Sequence, residues 1–258
     1  MKAAFSAIAL VAILSLTTVA QNAATPSPVA SHHTDATAAS KGEPFSWGPP
    51  PSGPNILFYG GDVNSADPNV QAFANGNTLL VPITTTYGAV RVPATGNFVV
   101  TGVFFNQSPT SSGDAFDPPT ATYDLRTGLS SGNGGTSIGN GSGPQGTRPT
   151  GRLPRGAVEY TTSVALTSPM TAPNGETVWV NESPQCTDSG NSICSDLQYF
   201  ASNTTQKTGS INGEAQPTRQ MFFNSAFFGF TWTNWCDPSL GQNPQQCADL
   251  SFGIYGHR

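Results

Sequence analysis

Residues 220–235, QMFFNSAFFGFTWTNW, form the densest aromatic run of the chain. From Phe228 the large rings fall on every second position, Phe228, Phe230 and Trp232, with Gly229, Thr231 and Thr233 between them. A period of two belongs to a strand with one buried face, so the run predicts a strand at the centre of the core. Residues 97–105 (NFVVTGVFF) are apolar on both faces and predict a second, central strand. Further short segments at 56–59, 77–85, 87–93, 121–126, 159–166, 177–181, 197–201 and 249–255 bring the set to about ten strands, parted by Gly, Pro and Asn turn signals.

No segment of useful length carries the helical period. Only 10% of the residues are charged, while 28 of 258 are Gly and 22 are Pro. Such a chain lacks the Glu and Lys that helix surfaces need. The expectation is an all-β fold, an antiparallel β-sandwich of jelly-roll-like type forming a single domain over 55–258. Residues 106–119 read as a polar loop. The Gly-rich stretch 128–146 reads as a flexible linker or a set of tight turns. It has no Lys and opens no helix, so it is not a phosphate-cradling loop.

The chain begins with Lys2, a nearly continuous apolar run over 3–16, and small residues Thr18, Val19 and Ala20. This pattern predicts a secretory signal over 1–20, cleaved before Gln21, because the apolar run is shorter than the ~20 residues a spanning helix needs. Residues 21–54, rich in Ala, Ser, Thr and Pro, predict disorder. Cys186, Cys194, Cys236 and Cys247, an even count in a secreted chain, predict two disulfides. Local pairing, Cys186 with Cys194 and Cys236 with Cys247, is the simplest of three arrangements. The expected location is extracellular, with no stable membrane insertion once the signal is removed. A net charge of −5 supplies no basic patch for nucleic acid.

Three passages resemble a group of bacterial secreted β-sandwich domains found ahead of C-terminal surface-sorting signals, of the choice-of-anchor type. They are ILFYGGDVNS from Ile56; VVTGVFFN from Val99 with TYDLRTGLSSGNGGTSIGNGSG from Thr122; and TVWVNE from Thr177 with the closing DLSFGIYG from Asp249. The resemblance implies a secreted β-sandwich and carries over no catalytic residues. The chain ends His257-Arg258 without the group's sorting tail, so free secretion is expected over surface anchoring.

Histidine chemistry has little material. His32 and His33 lie in the Ala/Ser/Thr/Pro segment and His257 is penultimate, a poor base for a triad or a metal site. Carboxylates remain. Glu159 and Glu182 on neighbouring strands are the pair to test against the about 5–9.5 Å separations of glycosidases, with Glu176 nearby. Solvated strand-edge acids are the simpler reading, and the chain reads as a non-enzyme. Aromatic rings suggest a sugar face instead, with Trp235, Asn234, Asp237 and Tyr199 as ligand-binding candidates beside a cysteine loop. Asp62, Asn64 and Asp67 are clustered oxygen donors, so calcium is the one cofactor left open, although Asx turns explain them as well. Asn140, Asn181 and Asn203 match the glycan-acceptor pattern. The functional expectation is a non-catalytic binding module for extracellular glycans or cell-surface components. The alternatives are a structural envelope or matrix protein, or a carboxylate-based glycan-degrading enzyme.

Overall fold

The computed structural model describes residues 55–63, 72–78, 83–109, 120–154, 157–187, 199–204, 209–218, 220–225, 231–236 and 249–258. Among them there is no α-helix. The strands in chain order are β1 (Ile56–Tyr59), β2 (Ala72–Ala74), β3 (Asn77–Thr78), β4 (Thr84–Arg91), β5 (Val99–Pro109), β6 (Thr120–Thr127) and β7 (Thr136–Pro149). They continue as β8 (Tyr160–Thr171), β9 (Thr177–Cys186), β10 (Tyr199–Thr204), β11 (Met221–Ser225), β12 (Thr233–Asn234), β13 (Asp249–Leu250) and β14 (Phe252–His257).

Hydrogen bonding follows one path, β1-β14-β5-β8-β7-β6-β9-β4-β11-β12. Its ladders are antiparallel; off the path, β3 pairs parallel with β9 and β10 pairs with β5, β2 and β13. The path has two halves that share β7. Residues 136–144 of β7 pair with β6, and 145–149 pair with β8. One half is β1, β14, β5 and β8; the other is β6, β9, β4, β11 and β12.

One core cluster draws buried residues from both halves. Val103, Phe105, Val164, Phe252 and Ile254 come from the first half. Val90, Tyr123, Leu125, Val178, Val180 and Met221 come from the second. Close approach needs glycine in places: a Cβ on Gly88 in β4 would stand 2.3 Å from the ring of Phe252 in β14. Phe252 itself lies against Phe58 and Phe105, each with ring centroids 5.4 Å away.

Two expectations are corrected here. The aromatic run at 220–235 is not one continuous strand. It supplies β11 and β12 at one end of the path, Trp232 lies outside any strand, and 226–230 lie outside the described residues. β5, β8 and β9 lie in the interior of the path and are bonded on both sides, as β11 also is. The Gly-rich stretch, in turn, is neither linker nor turn cluster over most of its length, because 136–149 form the 14-residue β7. Gly139, Gly141 and Gly143 pair with Leu125, Tyr123 and Ala121 on the inner face. A Cβ on Gly141 would stand 2.6 Å from the Tyr123 hydroxyl, so the missing side chains are the room the Tyr123 ring occupies.

Candidate functional site

The two carboxylates singled out in the sequence are both fully buried, and they serve different faces of β8. Glu182 projects from β9 between the halves. Its Oε2 accepts from Gln107 Nε2 and Thr162 Oγ1, each at 2.7 Å, while Oε1 has no partner. Burial pushes the Glu182 carboxyl up to about 8, and the bonds from Thr162 and Gln107 pull it back only in part. Next to it β4 and β9 separate, and Asn75 fills the seam. Asn75 Oδ1 accepts from Thr86 N, Asn181 Nδ2 and Ser183 Oγ. Asn75 Nδ2 donates to Glu182 O and Gln107 Oε1. The backbone groups freed by the splay are thereby satisfied.

Glu159 stands one residue before β8, where Thr150 N still donates to its carbonyl at 2.9 Å. Alternation along β8 puts Glu159 on the face of Thr161, and Glu182 meets the opposite face through Thr162. The two acids therefore do not flank a common space. Glu159 Oε2 accepts from Arg152 Nε at 2.5 Å and Thr150 Oγ1 at 2.9 Å. Arg152 Nη1 donates to Asp62 Oδ1 at 2.7 Å, and Tyr59 donates its hydroxyl to the same oxygen.

The Tyr59 hydroxyl in turn accepts from Asn106 Nδ2 at 2.9 Å, and Asn106 Oδ1 accepts from Thr161 Oγ1 at 2.7 Å. Ser251 Oγ accepts from Asn106 Nδ2 and donates to Gly61 O, both at 2.7 Å. One hydrogen-bonded series thus runs from buried Thr161 to Asp62, whose side chain is 50% exposed. Burial, then the bond to Asp62, raises the Tyr59 pKa, so the phenol remains a donor. At Arg152 burial pulls the pKa down, but the charge and hydrogen bond of Glu159, with the charge of Asp62, outweigh it and the guanidinium is held as a cation. Arg152 Nη2 and Glu159 Oε1 are both buried without a partner. Leu153 and Val158, on the same β7–β8 connection, are exposed.

The proposed sugar face is placed as follows. The Trp235 ring is half-buried and lies edge-on to Phe73, with centroids 5.9 Å apart, and 6.2 Å from Phe223. It packs against the core. Asn234 is half-buried in β12 and its Oδ1 accepts from Cys236 N at 3.0 Å. Tyr199 is the first residue of β10, its backbone paired with Pro109. The Tyr199 side chain and all of Asp237 lie outside the described residues. Trp179, Tyr87 and Phe222 form a second buried cluster on the outer face of β4 and β9, covered by Trp232 with the Arg126 guanidinium 4.8 Å from its ring.

Of the calcium candidates, Asp62 is engaged by Arg152 and Tyr59, and Asn64 and Asp67 lie outside the described residues. Among those residues, no group of three or more His, Cys, Asp or Glu could hold a metal ion. Cys186 and Cys236 are disulfide-bonded; Cys194 and Cys247 lie outside the described residues. Glu176 is exposed in the turn before β9. Of the acceptor sequons, Asn140 is exposed and Asn181 is buried and bonded to Asn75 and Thr86.

Tyr59, Asn106, Thr150, Arg152, Thr161 and Ser251 were not nominated by sequence reasoning. One signal was available. With only 10 Lys and Arg in the chain, Arg152 seven residues before Glu159 is a rare pairing. The chain matches no family model, no curated protein and no solved structure.

Proposed function

We propose that this chain is a secreted, extracellular β-sandwich of jelly-roll type that binds glycans or another cell-surface component and performs no catalysis. The observation that carries this reading is the Tyr59–Asp62–Arg152–Glu159 cluster. Its planar polar side chains are locked by their neighbours, yet Asp62 remains half exposed. Preorganised carboxylate and guanidinium groups recognise hydroxyls at little ordering cost. A hydrolytic reading is disfavoured by the placement of Glu159 and Glu182, since a glycosidase needs two acids on either side of one bond.

Secretion rests on the signal-like residues 1–20, and the paired state of Cys186 and Cys236 agrees with an oxidising compartment. Local pairing with Cys194 and Cys247 is proposed. The resemblance to secreted choice-of-anchor domains agrees with this reading and assigns no ligand.

Retention of chain 21–258 on insoluble polysaccharides tests it. Selective retention that is reduced by Asp62→Ala is expected. Absence of retention on every polymer would turn the assignment toward a structural envelope or matrix protein.

A further inference from the structure

Beside the seam filled by Asn75 stand three side chains whose chemistry the glycan-binding reading leaves unused. Gln107 of β5, Thr162 of β8 and Glu182 of β9 are all fully buried. Phe105 pairs with Thr162, and Gln107 with Tyr160. Gln107 and Thr162 are therefore diagonal neighbours on one face of an antiparallel pair, within reach of a long side chain. Gln107 Nε2 donates to Thr162 Oγ1 and to Glu182 Oε2, both at 2.7 Å. Thr162 Oγ1 donates to the same Glu182 oxygen, also at 2.7 Å. At the other atom of the amide, Asn75 Nδ2 donates to Gln107 Oε1 at 3.0 Å.

Each group stands where acyl transfer needs it. A hydroxyl becomes a nucleophile when a base within hydrogen-bond reach takes its proton, and Glu182 is so placed. Burial pushes the Glu182 carboxyl up to about 8, which suits a group that takes a proton and gives it back near neutral pH. A donor aimed at the carbonyl oxygen stabilises the oxyanion that forms there, and Asn75 supplies one. The hydroxyl already touches the amide nitrogen. The terminal torsion of a glutamine is broad, so a turn of the amide brings its carbonyl carbon onto Oγ1.

We propose that Gln107 and Thr162 react with each other to form an ester cross-link between β5 and β8. Glu182 Oε2 takes the Thr162 proton as Oγ1 bonds to the Gln107 carbonyl carbon. Asn75 Nδ2 holds the negative oxygen of the tetrahedral intermediate. Glu182 then returns the proton to Nε2, the carbon–nitrogen bond breaks, and ammonia leaves. No oxidant or second molecule is consumed, and Glu182 ends as it began. Burial protects the product, because water that would hydrolyse the ester is excluded. Ammonia escapes through local opening and is protonated in bulk solvent, so the return step lacks its amine. The reaction is spent once on the chain itself and turns over no substrate. It does not depend on the glycan-binding reading.

The test is mass spectrometry of the full secreted chain, reduced, denatured and digested with trypsin at mildly acid pH, where esters survive. Cleavage after Arg91, Arg126, Arg155 and Lys207 puts Gln107 and Thr162 in separate fragments, 92–126 and 156–207. The expected result is one joined species, lighter than the sum of the two fragments by one ammonia. Mild alkali should split it and leave a carboxyl at position 107. Placing the loss on these two fragments sets it apart from ammonia lost at any other amide of the chain.

Thr162→Ser should still give the joined species. Thr162→Val and Glu182→Gln should give two separate fragments at full mass, with melting of each variant recorded alongside. Separate fragments at full mass from the parent would overturn the inference, and the trio would then be a structural hydrogen-bond network only. A joined species that persists in Glu182→Gln would overturn the role given to Glu182. The parent alone decides whether the bond exists, so a variant that fails to fold leaves the test intact.

Discussion

Between the ordinary carboxyl range near 4.5 and about 8, the folded chain binds one proton more than the unfolded chain, because burial keeps Glu182 protonated. Stability from this group is therefore fully present below about 4.5 and is lost as pH rises toward 8. The slope is about 1.4 kcal/mol per pH unit, on the order of 4 kcal/mol from pH 5 to 8. Glu182→Gln keeps the acceptor oxygen for Gln107 and Thr162 and abolishes the titration. Urea unfolding at pH 5 and pH 8 should show a steep loss for the parent and, for the variant, a curve lacking this component. Equal slopes in both would show that Glu182 ionises freely in the fold. A second residue offers a gain. Ile83 is β-branched, 48% exposed and held at φ 37°, a conformation that costs a branched residue roughly 1–2 kcal/mol. Its N–H bond to Asn77 Oδ1 survives substitution. Ile83→Asn should raise stability by about 1 kcal/mol, read as a higher Tm.

At the scale of elements, β7 shows what glycine does inside a sheet. Tyr123 is pinned, its hydroxyl bonded to Thr167 Oγ1 at 2.9 Å and accepting from Thr167 N at 3.0 Å. It cannot yield to a Cβ at 141, so Gly141→Ala should destabilise by about 1–3 kcal/mol. The Cβ at 139 crowds the Met170 sulfur, at 2.9 Å, on a flexible side chain that can turn away, and meets Leu125 Cδ1 only at an ordinary 3.9 Å. Gly139→Ala should therefore be close to neutral. Similar losses in both variants, measured by thermal melting, would show that strand propensity and not the Tyr123 contact sets the cost.

The same strands show what could be read in the sequence. Apolar alternation located β1 at Ile56–Tyr59 and the bodies of β5, β8 and β9. It stopped where the strands turn polar. Asn106, Gln107 and Ser108 read as loop, and Glu182 and Ser183 as a strand exit, yet all five are buried. Their strand conformation depends on partners far along the chain, Thr161, Thr162, Asn75 and Ser251, which no local pattern reveals. Glu159 and Glu182 were named as residues, but their separation onto two faces of β8 follows from register, which pattern alone does not fix. The Asp62–Arg152 contact joins residues 90 apart and left only a faint trace.

The whole molecule is tied in two ways. Backbone bonding is unbroken from β1 to β12 because β7 serves both halves. Across the core, Gln107 of β5 and Thr162 of β8 are bonded to Glu182 of β9. Opening either half exposes residues of the shared core cluster and leaves a buried polar group without its partners. The two halves should therefore unfold as one cooperative unit. Native-state hydrogen exchange checks this directly. The amides of Val103 in β5 and Val180 in β9 should report opening free energies within about 1 kcal/mol of each other. Those of the two-residue β12, bonded among the described residues to β11, should open more easily. If β5 and β9 gave well-separated values, the shared strand would be a hinge between independently stable sheets, and Glu182→Gln would then shift only the β9 value.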